Sequence, residues 1–319
     1  MTPFSPLLAN DLQPMALLMG VVMRPGLRRV CGCTLIVLSI TACQRAPATQ
    51  GQLHIVVSLY PLYDFARHIA GDRARVTLLV PPGIEPHDWE PAPADIVRVH
   101  SARVFVYNGA GVEPWAEKLL AEVRGDIRVV KATAGLDLLT TEGQPDPHVW
   151  LDPLLARAEL EAIRTALVAV DPVHAPIYDG NATAFSSQIL ALHERFATGL
   201  ARCERREIVV SHAAFAYLAR RYRLTQLPII EGLTPDAEPS PAALAALTRQ
   251  ARRARVTHIF FETLVTSKLA ETLAREVDAT ALVLNPVEGL TKEQNAQGMT
   301  YVQLMDANLT NLRTALGCR

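Results

Sequence analysis

The 319-residue chain carries 31 Lys and Arg against 32 Asp and Glu. No block of basic residues alternates with aromatics, which excludes a protein held to nucleic acid by phosphate contacts. Half of its residues are apolar and 20% are charged, the balance of a globular protein with sequence enough for two cores and not of a disordered chain.

At the N-terminus Arg24, Arg28 and Arg29 precede a short apolar run, 30–40, that ends in Ile40-Thr41-Ala42-Cys43. A membrane-spanning helix needs about 20 apolar residues. This shorter run, with small residues before a cysteine, reads as a signal peptide closing in a lipobox. Residues 1–42 are therefore expected to be removed and Cys43 to be acylated, with 43–52 as a lipidated linker. Met23-Arg24 makes a normal signal start, so translation is expected to begin at Met23. Loss of 1–42 leaves 28 basic and 31 acidic residues, a formal charge of −3, and removes Cys31 and Cys33. With Cys43 lipidated, Cys203 and Cys318 are the thiols left in an oxidising compartment, where they are candidates for a disulfide.

From residue 53 the pattern becomes an alternation of strands and helices. Short apolar runs at 53–59, 76–80, 104–107 and 127–130 are separated by amphipathic stretches, as in a parallel sheet covered on both faces. A helix over 153–170 closes an N-terminal lobe, 53–172. Between 174 and 201, Phe185, Ile189, Leu192, Phe196 and Leu200 recur at helical spacing, which predicts one long linking helix within 173–202. The alternation restarts at 207–210, 227–230, 257–261 and 281–284 to form a C-terminal lobe, 203–319. The predicted fold is α/β, two βα lobes with parallel sheets joined by one long rigid helix. Such a connection restrains hinge opening.

Ligands of open parallel sheets sit outside the carboxyl ends of the strands. His87 lies between prolines in Pro81-Pro82-Gly83-Ile84-Glu85-Pro86-His87-Asp88-Trp89-Glu90-Pro91, and His148 in Asp146-Pro147-His148-Val149-Trp150-Leu151-Asp152-Pro153. Proline fixes its own φ and restricts the residue before it, so these loops are preformed. His212 follows the strand at 207–210, and Glu288 follows the strand at 281–284 in Asn285-Pro286-Val287-Glu288-Gly289. Three imidazoles and a carboxylate form an N₃O set that suits Zn²⁺. There is no HExxH motif and no CxxC pair, so it is the loop setting and not the spacing that singles these residues out.

Plainer roles stay open for each. His212 alone reads as a satisfied hydrogen-bonding group, and Glu288 as a helix cap. Asp146 and Asp152 precede Pro147 and Pro153 and could cap helix starts. Asp88, Glu90, Asp146 and Asp152 are candidates for holding the histidine rings from behind, and Trp89 and Trp150 either dry the site or simply pack.

The two histidine segments, together with Ser211-His212-Ala213-Ala214-Phe215-Ala216-Tyr217-Leu218, Ala237-Glu238-Pro239-Ser240 and Leu284-Asn285-Pro286-Val287-Glu288-Gly289-Leu290-Thr291, occur in the order found in a known family. From about residue 53 onward the chain resembles the metal-binding solute-binding proteins of ABC transporters, zinc type, the ZnuA/AdcA-like group. The resemblance implies His87 and His148 as ligands from the first lobe, His212 and Glu288 from the second, and two lobes bridged by a rigid helix. It also implies a non-enzymatic, exported, monomeric receptor that binds Zn²⁺ as cargo and passes it to a permease with its ATPase. Lobe separation is then expected to move His212 and Glu288 together.

Manganese-type relatives usually have Glu where His212 stands, and a third imidazole favours zinc. Two departures from many zinc members are the absence of any histidine between Val112 and Pro147, where a His-rich loop would lie, and Asn285 in place of an Asp. The competing readings are a manganese or iron(II) receptor, a metal-dependent adhesin, and a zinc hydrolase with Glu288 as general base.

Overall fold

The computed structural model describes residues 52–319 apart from 124, 142 and 236–238. The signal segment, the Met23 start, Cys43 and the Ala237-Glu238 motif lie outside the described residues.

Strands β1 (Leu53–Val57), β2 (Ala74–Leu78), β3 (Val104–Tyr107) and β4 (Arg128–Lys131) form a parallel sheet in the order β2-β1-β3-β4. Ile55, Val56 and Val57 of β1 and Val104, Phe105 and Val106 of β3 have no exposed surface, which is why these two central strands read as unbroken apolar runs. The first strand is shorter than 53–59 because Pro61, in the first turn of α1 (Tyr60–Ala70), starts a helix with Leu59 as its N-cap. Helices α2 (Pro93–His100) and α3 (Pro114–Glu122) complete the layers. A two-residue antiparallel pair, β5 (Thr140–Thr141) with β6 (Gln144–Pro145), leads into the His148 loop and carries no strand signal in the sequence.

Helix α4 (Pro153–Val170) starts where Pro153 fits the first turn and the Asp152 carboxylate accepts from the Leu154 amide at 3.0 Å. The linking helix α5 (Ala175–Gly199) follows, and its buried stripe is Tyr178, Ala182, Phe185, Ile189, Leu192 and Phe196. At about 1.5 Å per residue it spans roughly 37 Å, enough to back both lobes.

The second sheet is also parallel, in the order β10-β9-β7-β8, from β7 (Glu207–His212), β8 (Thr225–Ile230), β9 (His258–Phe261) and β10 (Thr280–Val283). Its helices are α6 (Ala216–Tyr222), α7 (Pro241–Arg253) and α8 (Lys268–Glu276), followed by α9 (Lys292–Ala296) and α10 (Tyr301–Leu316). Thr291 and Thr300 open α9 and α10 with capping boxes closed by Gln294 and Gln303.

The two lobes share one apolar cluster, which runs from β1 through Phe65, Phe185, Phe196 and Phe215 to Leu312. Smaller clusters fill the outer faces, one around Phe105 and Trp115 and one around Ile259 and Leu273. The chain after β10 also returns to the first lobe. The Tyr60 amide donates to the Glu288 carbonyl at 3.3 Å, and the Gly83 amide to Leu290 at 2.7 Å. The Trp150 indole donates to the Pro286 carbonyl at 2.7 Å, and the Tyr301 hydroxyl to the Trp150 carbonyl at 2.6 Å. The lobes are thus joined by α5 and cross-stitched by residues 286–301. A disulfide between Cys203 and Cys318 ties the residues just beyond α5 and α10 across 115 positions.

Candidate metal centre

Each of the four side chains singled out in the sequence stands at the carboxyl edge of a sheet or in a loop pinned beside it. His87 sits in a short 3₁₀ turn whose N-cap, Glu85, accepts from the His87 amide at 3.3 Å. The His148 loop is held by Asp146, whose carboxylate accepts from the His148 amide at 3.0 Å and from Nδ1 of its ring at 2.7 Å. Tyr217 of α6 grips the same loop by donating to the Asp146 carbonyl at 2.8 Å. His212 is the last residue of β7, and its Nδ1 donates to Glu262, the residue directly after β9, at 2.7 Å.

Glu288 is presented by a strained turn. Val287 has φ +62°, a left-handed conformation that a β-branched residue adopts only at a cost of about 1–3 kcal/mol. It is held there by the Asn285 side chain, which accepts from the Val287 amide at 2.7 Å, while Asn308 clamps both backbone groups of Asn285. Asn285 therefore shapes the turn. Thr291, and not Glu288, caps the helix that follows.

One atom from each of His87, His148, His212 and Glu288 lies within 4.8 Å of the other three. Glu288 Oε1 is 3.1 Å from His148 Nε2 and 3.7 Å from His212 Nε2, and Oε2 is 3.5 Å from His87 Nε2. The side chains of His148 and His212 have no exposed surface, Glu288 has 1% and His87 has 4%. With Nδ1 of His148 and of His212 each turned to a carboxylate, the two Nε2 atoms face each other at 3.4 Å. His87 Nε2 and both Glu288 oxygens have no hydrogen-bond partner at all. Buried ring nitrogens and carboxylate oxygens converging on one point are the donor set of a cation.

The ionisation states agree with that. Burial would raise the Glu288 carboxyl, but His87 and His148 outweigh it and hold it well below the usual range. Burial would lower His148, but the neighbouring Asp146 and Glu288 carboxylates push it up to about 10. Burial and then the Glu288 charge raise Glu85 to about 9.

The residues expected behind the rings divide. Asp146 orients His148, and Trp150 is fully buried beside it, ring centroids 5.5 Å apart. The others do not serve the site. Asp88 and Glu90 point to solvent. Asp152 caps α4 and pairs with Arg221 at 2.8 Å, because its position before Pro153 makes it an N-cap. Trp89 packs edge-on against Trp115 at 5.2 Å, in the outer cluster of the first lobe. Glu262 takes the role given to those acids, while Glu85 holds the His87 turn through its backbone amide. Glu262 follows the apolar run His258-Ile259-Phe260-Phe261 directly, so the strand-end rule that picked out His212 also reaches it, and Glu85 lies inside the His87 motif itself.

Two βα lobes on a helical backbone, with a buried cluster of nitrogen and oxygen donors between them, define the class of solute-binding receptors. Residues 55–315 match the family ZnuA, zinc-uptake complex component A, periplasmic, and the chain belongs to that family. It is 38% identical over 283 residues to the high-affinity zinc uptake system protein ZnuA of Bacillus subtilis, covering 83% of this chain and 88% of that one. It is 37% identical over 296 residues to the zinc-binding lipoprotein AdcA of Streptococcus pneumoniae, covering 88% of this chain but only 59% of AdcA's length. The crystal structure of the Zn(II)-bound ZnuA-like domain of Streptococcus pneumoniae AdcA superposes with a TM-score of 0.75 at 39% identity, over 83% of this chain and 99% of that one.

Proposed function

We propose that this chain is the high-affinity zinc receptor of an ABC importer and that His87, His148, His212 and Glu288 take up Zn²⁺ between the lobes. The observation that carries this reading is the pair of Nε2 atoms of His148 and His212, one from each lobe, facing each other beside Glu288 with carboxylates behind both rings. Three imidazoles and one carboxylate give a borderline-soft set that prefers zinc to the harder Mn²⁺. Glu288 stands in contact range of all three rings, which is a ligand's position and argues against a hydrolase in which it would act as base. No bond of a substrate is made or broken.

The cargo is released by weakening the closed geometry. The turn carrying Glu288 is stitched to Tyr60 and Trp150 of the first lobe, so His212, backed by Glu262, is the ligand whose displacement opens the set. This revises the expectation that His212 and Glu288 move as a pair. Metal ligation requires His148 to lose its proton, which couples uptake to proton release. The receptor acts as an exported monomer anchored through acylated Cys43, and hands zinc to a permease driven by its ATPase; the lipobox Ile40-Thr41-Ala42-Cys43 supports the anchor. The test is cargo competition. Chelator-stripped protein offered equal Zn²⁺ and Mn²⁺ should retain one zinc per chain, and preferential retention of manganese would sink the zinc assignment.

A further inference from the structure

Metal ions must reach a site whose four side chains are at most 4% exposed. The ligand with the most exposure is His87, and beside it opens a cavity of about 590 Å³ between the lobes. Glu85 and Asp88 line it from the first lobe; Ser211, which precedes His212, together with Leu264 and Lys268, lines it from the second. Glu85 is the residue common to cavity and site. It lines the cavity, its carboxylate accepts from the His87 amide at 3.3 Å, and it feels the Glu288 charge.

We propose that Glu85 is the transfer ligand of this centre: it takes Zn²⁺ from the inter-lobe cavity, passes it to Glu288 and His87, and leaves the ion once the four-ligand set has closed. The proposal rests on the metal-centre reading above and adds a route to it. A group that binds the ion in transit but not in the final state lowers the barrier in both directions, so it speeds capture and release together and leaves the ratio of the two nearly unchanged.

Glu85→Gln separates this role from support of the loop. The amide keeps an oxygen to accept from the His87 amide, but it is a much poorer zinc ligand than a carboxylate. Stopped-flow uptake of Zn²⁺ by the purified mature chain, and its removal by a chromophoric chelator, give both rates. In Glu85→Gln both rates are expected to fall roughly tenfold or more, while their ratio moves less than about threefold. Glu85→Asp, a shorter carboxylate, is expected to restore part of both rates. Rates equal to wild type in Glu85→Gln would overturn the proposal, as would faster release with unchanged uptake, the mark of a resident ligand or a structural prop. Wild-type protein that holds no zinc, or His212→Ala that holds it as tightly as wild type, would instead overturn the metal-centre reading itself.

Discussion

Nε2 of His148 and Nε2 of His212 lie 3.4 Å apart, and behind them Asp146 and Glu262 each take the Nδ1 proton at 2.7 Å. The two carboxylates fix the tautomer and orientation of each ring, so they contribute to metal affinity without touching metal. Removing either, as Asp146→Ala or Glu262→Ala, is expected to weaken zinc binding about 10–100-fold. Competition against a calibrated chelator reads this directly, and wild-type affinity in both variants would show that the rings orient themselves.

The three histidines should matter more. His87→Ala, His148→Ala and His212→Ala each remove a donor from a four-membered set and are expected to cost orders of magnitude in affinity. Glu288→Ala should cost less, because water can replace an oxygen ligand. His212→Glu makes the set harder, so the ratio of zinc to manganese affinity should fall. Paired titrations with the two metals measure it, and an unchanged ratio would remove ligand softness as the basis of selectivity.

Protonation gives opposite signs for the empty and the loaded protein. His148 is raised from its usual 6.5 to about 10 by Asp146 and Glu288 against the effect of burial. In the metal-free protein its charged form adds stability that is fully present below about pH 6.5 and is lost as the pH rises through about 10. Zinc requires the neutral ring, so zinc affinity should rise about tenfold per pH unit over the same window as one proton is released. Melting curves without metal and calorimetric titrations in buffers of different ionisation enthalpy check the two signs. A metal-free melting temperature that climbs between pH 7 and 10 would contradict this state of His148.

The stitching of the Glu288 turn to the first lobe has its own test. Trp150→Phe removes the donor to the buried Pro286 carbonyl and should cost about 1–3 kcal/mol of stability, with faster zinc release. Equal stability with unchanged release would show that the turn holds itself, through Asn285 and Asn308 alone.

Loss of the bridge in Cys203→Ser or Cys318→Ser frees a loop of 115 positions and is expected to lower stability by about 2–4 kcal/mol. Denaturant unfolding under non-reducing conditions measures it. Neither residue is among the four metal-site side chains, so a large loss of zinc affinity in these variants would be unexpected.

Much of this arrangement was legible in the residues. The apolar runs of β1 and β3 mark strands buried on both faces, the Phe185-to-Phe196 spacing marks the linking helix, and His87, His148, His212 and Glu288 follow strands or lie between prolines. Relations set only by tertiary contact were not legible. Asp88 adjoins His87 in sequence yet faces solvent, whereas Glu262, 50 residues from His212, reaches its ring because β7 and β9 are neighbours in the sheet. Asp152 shows the opposite case, since a local rule, an N-cap before proline, outweighed its nearness to His148. The return of residues 286–301 to the first lobe carries no periodic signal and rests on single hydrogen bonds such as Trp150 to Pro286.

X-ray absorption at the zinc edge of the singly loaded protein tests the central claim most directly. The account predicts four light-atom ligands, with three imidazole patterns and one carboxylate oxygen at about 2.0–2.1 Å, and loss of one imidazole contribution in His212→Ala. A sulfur shell, an octahedral set dominated by water, or an unchanged spectrum in His212→Ala would contradict it.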